Sequence, residues 1–302
     1  THRLFRIHHR RSGKRKGGLV TEVPPRHRAQ MYNANLDELR QKGLFFPPVE
    51  KICIELPKPG LHDNRADVTR LIQGLASQHG KHCSLAQLTV LRKIRQALRQ
   101  EDFLVTVTIE QPVNAAGRDR LINIQPGQWA NRNFSLAFDI GTTTVHGMLV
   151  DLYTGEKMIK VSRYNPQMSY GEDVISRMIH AEKAEGLARL HDLVTTAMNE
   201  MITEMLEQVK ILQGSGPEKI SREEINSITI AGNTAMMHLL LELEPDNIRR
   251  APYVPVAHFF PSLPAKDLGL VINEHCPALL YPSVSSYVGG DIVAGVMGSG
   301  MY

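Results

Sequence analysis

A group of small polar residues separates two apolar runs in the segment FSLAFDIGTTTVHGMLVDLYTG. The first run ends at Asp139, and Gly141 and the threonines 142–144 precede the second. Because glycine has no Cβ, its backbone can approach an anion closely, and the successive N–H groups of Thr142, Thr143 and Thr144 can then cradle a phosphate. Asp139 would repel that phosphate directly, so its useful role is to hold Mg²⁺ through bound water. The turn predicts a phosphate-and-magnesium site.

Two further polar turns are predicted at strand ends, where open α/β sheets bind ligands. They contain Gly232, Asn233 and Thr234 in the first turn, and Gly289, Gly290 and Asp291 in the second. Each turn has two interpretations. In the first turn, Asn233 or Thr234 either serves only as the N-cap of the following helix or belongs to a helix start that faces a nucleotide. Asp291 is likewise either an N-cap or a second carboxylate near Mg²⁺ or an attacking water.

Other common cofactor motifs are missing from the sequence. Neither GxxxxGK[ST] nor GxGxxG occurs, so the predicted phosphate site is neither a Walker A loop nor a dinucleotide-binding loop. The three cysteines, Cys53, Cys83 and Cys276, form no CxxC or other short cluster. We therefore expect no zinc or iron–sulfur site in this chain, and the sparse, odd set indicates inert thiols in a reducing compartment.

The elements that position these turns begin with a small α/β unit, predicted over residues 48–130. VEKICIELP alternates apolar and polar residues, as in a half-buried strand. Two amphipathic helices follow, the first with Asp63 or Asn64 as its predicted cap. FLVTVTIEQ and RLINIQPG complete a predicted set of two helices and three strands. This unit has no evident catalytic residues.

A second α/β unit is predicted over residues 132–302 and contains all three polar turns. FSLAFDI, TVHGMLVDL and EKMIKVSRY indicate three consecutive strands, and GLARLHDLVTTAMNEMITEMLEQVKIL indicates a long helix. The methionines of this helix are predicted to fill the core. A strand–turn–helix pattern then occurs twice, once around each remaining polar turn.

Composition favours an ordinary globular protein: of 302 residues, 42% are hydrophobic and 22% charged. No apolar stretch approaches the ~18 residues of a membrane span, and there is no signal-peptide pattern. A cytoplasmic protein without membrane contact is expected. The net charge of +4 depends on residues 1–18, which hold seven Lys or Arg and no acid. No aromatic-interleaved basic surface accompanies them, so nucleic-acid binding is not expected.

The order of these motifs resembles the first half of an actin-like (ASKHA, ribonuclease H-like) ATPase. FDIGTTTVHGMLVDLYTGE, NPQMSYGEDVISRM, ITIAGNTAMMHLLL and APYVPV are similar to the ATPase domain of the reductive activators of corrinoid proteins. VEKICIELPKPGLHDNRADVTRLI and QEDFLVTVTI resemble that family's middle domain, and LVTEVPP resembles the end of its ferredoxin domain. The implied organisation is a tail and ferredoxin remnant (1–30), a linker (31–47), a small α/β middle domain (48–130) and a first, truncated ATPase lobe (132–302).

This resemblance implies ATP-dependent return of cob(II)amide to cob(I)amide on a partner corrinoid methyltransfer protein. ATP and Mg²⁺ are the implied ligands, a [2Fe-2S] cluster is the family's electron donor, and a homodimer is compatible with the resemblance. It implies that Asp139, Gly141, Thr142 and Thr143 form the first phosphate loop and that Asn233 and Asp291 line the cleft.

The sequence departs from the family pattern in two ways. Residues 1–30 contain no cysteine, whereas a [2Fe-2S] cluster needs four thiolates. No second Asp-x-Gly-Thr turn is present, and in the family the second lobe carries such a turn together with the adenosine pocket. We therefore expect a fragment that neither carries electrons nor binds ATP tightly alone. The alternatives are a sugar or acyl kinase of the same fold, or a non-catalytic interaction module.

Overall fold

The computed structural model describes residue 41 and residues 47–84, 88–112, 118–213 and 219–299. The predicted tail (1–30) and most of the predicted linker (31–47) lie outside these ranges. Within them, no helix combines the length and apolar character needed to cross a bilayer.

The first unit is built on a four-stranded sheet. Its strands are β1 (Val49–Glu55), β2 (Cys83–Ser84), β3 (Leu104–Glu110) and β4 (Asp119–Pro126), in the order β1-β3-β4-β2. The pairs β1–β3 and β3–β4 are antiparallel, and β2 pairs parallel to β4. Three of these strands were predicted. The fourth, β2, has two residues and is too short to produce a periodic signal.

Two helices pack on this sheet, α1 (Asp67–His79) and α2 (Leu88–Gln100), around a core of aliphatic side chains from both layers. The cap predicted for α1 was wrong, because α1 begins at Asp67 with Ala66 at its N-cap. The Asp63 carboxylate instead accepts hydrogen bonds from Arg65 and from Arg70, which is only 1% exposed. These two guanidinium groups hold the pKa of Asp63 well below its usual range.

The second unit has a six-stranded sheet that positions the polar turns. Its strands are β5 (Phe134–Ile140), β6 (Thr144–Asp151), β7 (Lys157–Tyr164), β8 (Ile225–Gly232), β9 (Leu263–Pro264) and β10 (Pro277–Leu280). The order is β7-β6-β5-β8-β10-β9. The first three strands form an antiparallel meander, whereas β5, β8 and β10 run parallel to one another. This is the mixed sheet expected for an actin-like, ribonuclease H-like lobe.

The helices of this unit are α3 (Val174–Ala181), α4 (Gly186–Gln213), α5 (Thr234–Leu240), α6 (Asp246–Arg249) and α7 (Gly290–Ser299), with a 3₁₀ helix at Pro166–Tyr170. One sheet face is buried against α4. Its predicted core methionines, Met198, Met201 and Met205, are all fully buried, as expected. The opposite face remains largely open beside α7.

Several polar contacts join the two units, two of them at the segment that connects the units. The Lys51 amine donates a hydrogen bond to the Arg132 carbonyl (3.0 Å), and the Asn133 amide donates to the Val49 carbonyl (3.0 Å). Burial lowers the pKa of Lys51 to about 8, with Glu224 opposing that shift. A buried, hydrogen-bonded amine at the junction favours one relative orientation of the units.

Candidate functional site at the carboxyl edge of the second sheet

The three polar turns meet at one edge of the second sheet. Because β5, β8 and β10 are parallel, their carboxyl ends lie together, and this is the edge where open α/β sheets bind ligands. The turn after β5 leads into β6, and the turn after β8 leads directly into α5. After β10 the chain passes through residues 281–289 before α7 begins, a longer connection than predicted.

A direct hydrogen bond joins the first two turns. The Asn233 amide nitrogen lies 3.2 Å from Thr142 Oγ1, while the Asn233 Oδ1 atom accepts a hydrogen bond from the Met236 N–H at 2.9 Å. Asn233 is therefore the N-cap of α5 and at the same time a contact of the predicted phosphate turn. Its two interpretations from sequence are compatible.

The third turn packs on the second with no room for a side chain. A Cβ added at Gly289 would lie 2.3 Å from Asn233 Cα and 2.7 Å from Thr234 N. The Thr234 hydroxyl donates a hydrogen bond to the Ser285 carbonyl at 2.6 Å. Gly290 is buried against Tyr281, whose carbonyl oxygen would lie 2.7 Å from an added Cβ. These close approaches explain the glycines at 289 and 290.

Two carboxylates, those of Asp139 and Asp291, lie near the place where the three turns meet. Burial raises the pKa of Asp139 above its ordinary value, and the negative charge of Asp291 raises it further, opposed by His146 and Lys160. The helix α7 begins at Gly290, so Asp291 is a residue of its first turn rather than its N-cap, and its carboxylate accepts from the Ile292 N–H. The structure thus places Asp139 and Asp291 close enough to repel each other.

The open face of the sheet contains further polar groups that the sequence did not indicate as functional. A cavity of 260 Å³ lies beside Asp139 and is lined by His146, Lys160 and Tyr281, among others. His146 is the cross-strand partner of Asp139 and lies 2.6 Å from the Ser162 hydroxyl. Burial lowers the pKa of His146, and the charge of Lys160 lowers it further. Because residues directly opposite each other in an antiparallel pair share a face, this register places His146 on the face of Asp139.

A second missed group lies behind the phosphate turn. The Asn165 side-chain amide donates a hydrogen bond to the Gly141 carbonyl (2.9 Å), and the Arg177 guanidinium donates to the Thr142 carbonyl (2.5 Å). Gln167 packs between them and donates to the Leu190 carbonyl. Asn165, Gln167 and Arg177 are at most 1% exposed. They belong to the segment NPQMSYGEDVISRM, which was noticed in the sequence only for its resemblance.

The arrangement fits an anionic ligand with a cation. Within the described part of the chain, the N–H groups of Thr142 and Thr143 donate no hydrogen bond, and no donor or cation contacts the Asp139 carboxylate within bonding distance. A phosphate accepts hydrogen bonds from such N–H groups, and a carboxylate beside it can hold Mg²⁺ through water. The fold and this edge together define the first lobe of an actin-like, ribonuclease H-like domain.

Comparisons with known proteins agree with that class. A family model described as "RACo middle region" matches residues 134–302, and one described as "RACo linker region" matches residues 38–131. The chain therefore belongs to the RACo family, the reductive activators of corrinoid proteins. The predicted resemblance and fold class are confirmed. In the names of these models, the unit that we termed the middle domain is the linker region, and the ATPase lobe is the middle region.

Two individual relatives support the same assignment. The chain is 30% identical over 223 residues to the corrinoid activation enzyme RamQ of Eubacterium limosum, covering 70% of this chain and 36% of RamQ. A solved structure named "Reductive activator for corrinoid,iron-sulfur protein" matches with a TM-score of 0.77 and 36% identity, covering 85% of this chain and 39% of that one. The chain thus spans well under half the length of these relatives.

Proposed function

We propose that this chain supplies the linker unit and the first nucleotide-binding lobe of an ATP-dependent reductive activator. The activator returns a corrinoid protein from cob(II)amide to cob(I)amide by adding one electron. Membership of the RACo family supports the corrinoid substrate. The main support for nucleotide binding is the turn after β5. Its unpaired N–H groups and the Asp139 carboxylate lie at the same edge of the sheet as Asn233.

In this proposal the N–H groups of Thr142 and Thr143 bind phosphate oxygens, with Gly141 permitting close approach. Asp139 holds Mg²⁺ through water, and Asp291 adds a second carboxylate to the cleft. Within the described ranges no group of three or more His, Cys, Asp or Glu side chains forms a metal cluster. The remaining Mg²⁺ ligands would therefore be water and phosphate oxygens, as is usual for this ion. MgATP held by these residues would supply free energy for an uphill electron transfer.

The remaining predicted contacts lie at the ends and starts of the elements that flank the three turns. Gly232 and Gly289 let the three turns approach one another, while Thr144 and Gly290 begin the elements that follow them. Thr234 fixes the loop before α7 through Ser285. We propose that these residues shape the cleft and do not themselves transfer protons.

The cysteines of this chain do not fit the family's [2Fe-2S] cluster. The chain has three, the cluster needs four thiolates, and Cys83 and Cys276 are buried free thiols in different units. We derive no electron-transfer step through them. The proposed partner is a corrinoid methyltransfer protein, and a homodimer stays a prediction.

Binding of MgATP to the protein expressed from its complete gene tests this function. Asp139→Ala should abolish Mg²⁺-dependent ATP binding, measured by isothermal titration calorimetry, while leaving the circular dichroism spectrum unchanged. Glu156→Ala is the matched control, since Glu156 is an exposed acid beyond the far end of β6. Unchanged ATP affinity in Asp139→Ala would remove Asp139 from the site.

The competing functions differ in a second assay. The proposed activator should accelerate reduction of cob(II)amide to cob(I)amide in a corrinoid partner, followed by absorbance, only when MgATP and a one-electron donor are present. A sugar or acyl kinase would instead form a phosphorylated small molecule. An interaction module would show no protection from proteolysis by MgATP.

A further inference from the structure

The turn that we propose to bind phosphate is held from behind by buried polar side chains. Gly141, Thr142 and Thr143 each direct a backbone carbonyl to a donor outside the turn. The Asn165 side chain donates to the first (2.9 Å), the Arg177 guanidinium to the second (2.5 Å) and the Asn165 N–H to the third (2.8 Å). Three successive carbonyls are therefore fixed on the protein side of the turn.

The geometry of the peptide bond shows where the N–H groups of the turn point when its carbonyls are held in this way. In a trans peptide the C=O of one residue and the N–H of the next point in opposite directions within one plane. A Gly141 carbonyl held by Asn165 therefore directs the Thr142 N–H away from Asn165. A Thr142 carbonyl held by Arg177 directs the Thr143 N–H away from Arg177. Neither of these two N–H groups donates a hydrogen bond within the described part of the chain.

The supporting side chains are themselves fixed. Arg177 lies on α3, is fully buried, and also donates from Nε to the Gly171 carbonyl at 2.9 Å. Asn165 caps the 3₁₀ helix by accepting from the Gln167 N–H, and Gln167 is anchored on the Leu190 carbonyl of α4. The turn is thus connected to two helices of the lobe.

We infer that Arg177 and Asn165 are positioning residues, which fix two peptide planes so that the N–H groups of Thr142 and Thr143 face the phosphate. The inference rests on the proposed function for its ligand, but the geometry does not depend on ATP. A guanidinium is suited to this role because it stays charged and offers several donors in one plane. It touches carbonyl groups here rather than the nucleotide.

The test compares Arg177→Met with Arg249→Met in the protein expressed from its complete gene. Arg249 forms an ion pair with Glu182 just after α3 and does not contact the turn. Arg177→Met should weaken MgATP binding by about 10- to 100-fold, the loss typical of one hydrogen bond to a charged group. Adenosine binding should be unchanged, since adenosine has no phosphate. Arg249→Met should match the parent protein for both ligands.

Hydrogen exchange gives an independent measurement on the ligand-free protein. The N–H groups of Gly141 and Asn165, bonded to the Thr144 and Thr143 carbonyls, should exchange faster in Arg177→Met, with little change elsewhere. If Arg177→Met does not fold, Asn165→Asp removes the donor to Gly141 and is judged by the same measurements.

The outcomes separate the two proposals. Unchanged MgATP affinity in Arg177→Met, or an equal loss for MgATP and adenosine, overturns the positioning role. If the parent protein binds no MgATP, the proposed function fails, and exchange then decides only the part of the inference that concerns Arg177 fixing the turn. Local acceleration at the turn then supports it, and unchanged exchange overturns it.

Discussion

Replacement of Gly289 by alanine should disrupt the cleft by forcing two of its turns apart. The added Cβ would lie 2.3 Å from Asn233 Cα, 2.7 Å from Thr234 N and 2.8 Å from Asn233 C. All three are backbone atoms, so no side-chain rotation relieves the clash, and the start of α7 must move. Overpacking of this kind costs about 1–3 kcal/mol. The same movement displaces Asp291 and Asn233, so MgATP affinity should fall as well.

Gly295→Ala provides the matched control, because it makes the same chemical change six residues further along. A Cβ at Gly295 would meet nothing within 4 Å, and alanine is favoured over glycine inside a helix by roughly 1 kcal/mol. The assay is thermal unfolding by circular dichroism, where each kcal/mol shifts Tm by about 2–4 °C for a unit of 150–250 residues. Equal Tm values for Gly289→Ala and the parent would refute the packing argument.

Three other predictions concern ionisable groups whose pKa values the fold shifts. The pH at which acidification halves Mg²⁺-dependent ATP affinity should be lower in Asp291→Asn than in the parent protein, because Asp291 raises the pKa of Asp139; calorimetry across pH tests this, and an equal midpoint in the two proteins contradicts it. The free energy of unfolding should rise by up to about 3 kcal/mol between pH 8 and 10.5, since folded Lys51 has lost its proton there and unfolded Lys51 retains it; urea titrations should show that Lys51→Met removes this rise. Iodoacetamide should leave Cys83 and Cys276 unmodified until the protein unfolds, because burial raises the pKa of both thiols; mass spectrometry of labelled peptides would reveal early modification.

The sequence was sufficient to predict the polar turn after β5 and the turns beside it, because their signals are local; phosphate binding there stays a prediction. A polar turn is indicated by an aspartate, a glycine and threonines between two apolar runs, and this signal does not depend on the rest of the chain. The rule that parallel strands place their carboxyl ends together then brings Thr142 to Asn233, which lie 91 positions apart and are joined by a hydrogen bond. One local pattern and one topological rule therefore predict that these turns meet.

The support behind that turn could not be predicted in the same way. Arg177 lies on an amphipathic helix, where an arginine is ordinarily exposed, and nothing near it in sequence indicates that it reaches the Thr142 carbonyl 35 positions earlier. At Asp63, by contrast, a local signal was present but predicted the wrong role. Its position before a helix favours a cap, but a buried arginine, Arg70, outweighs that preference with an ion pair. In both cases a buried arginine takes a hydrogen-bond partner that the local pattern does not show: a backbone carbonyl for Arg177 and the Asp63 carboxylate for Arg70.

The energetics of Asp139 favour a ligand site over a plain turn. Burial and the nearby Asp291 both disfavour its ionised form, and no donor in the described part of the chain bonds its carboxylate. Such an arrangement costs folding free energy. A capping role would explain the cost, but Asp139 lies within β5 and Asp291 lies inside the first turn of α7. The divalent cation that we propose for this edge would offset the same repulsion, and it would account for two acids kept together beside turn N–H groups that are also unpaired.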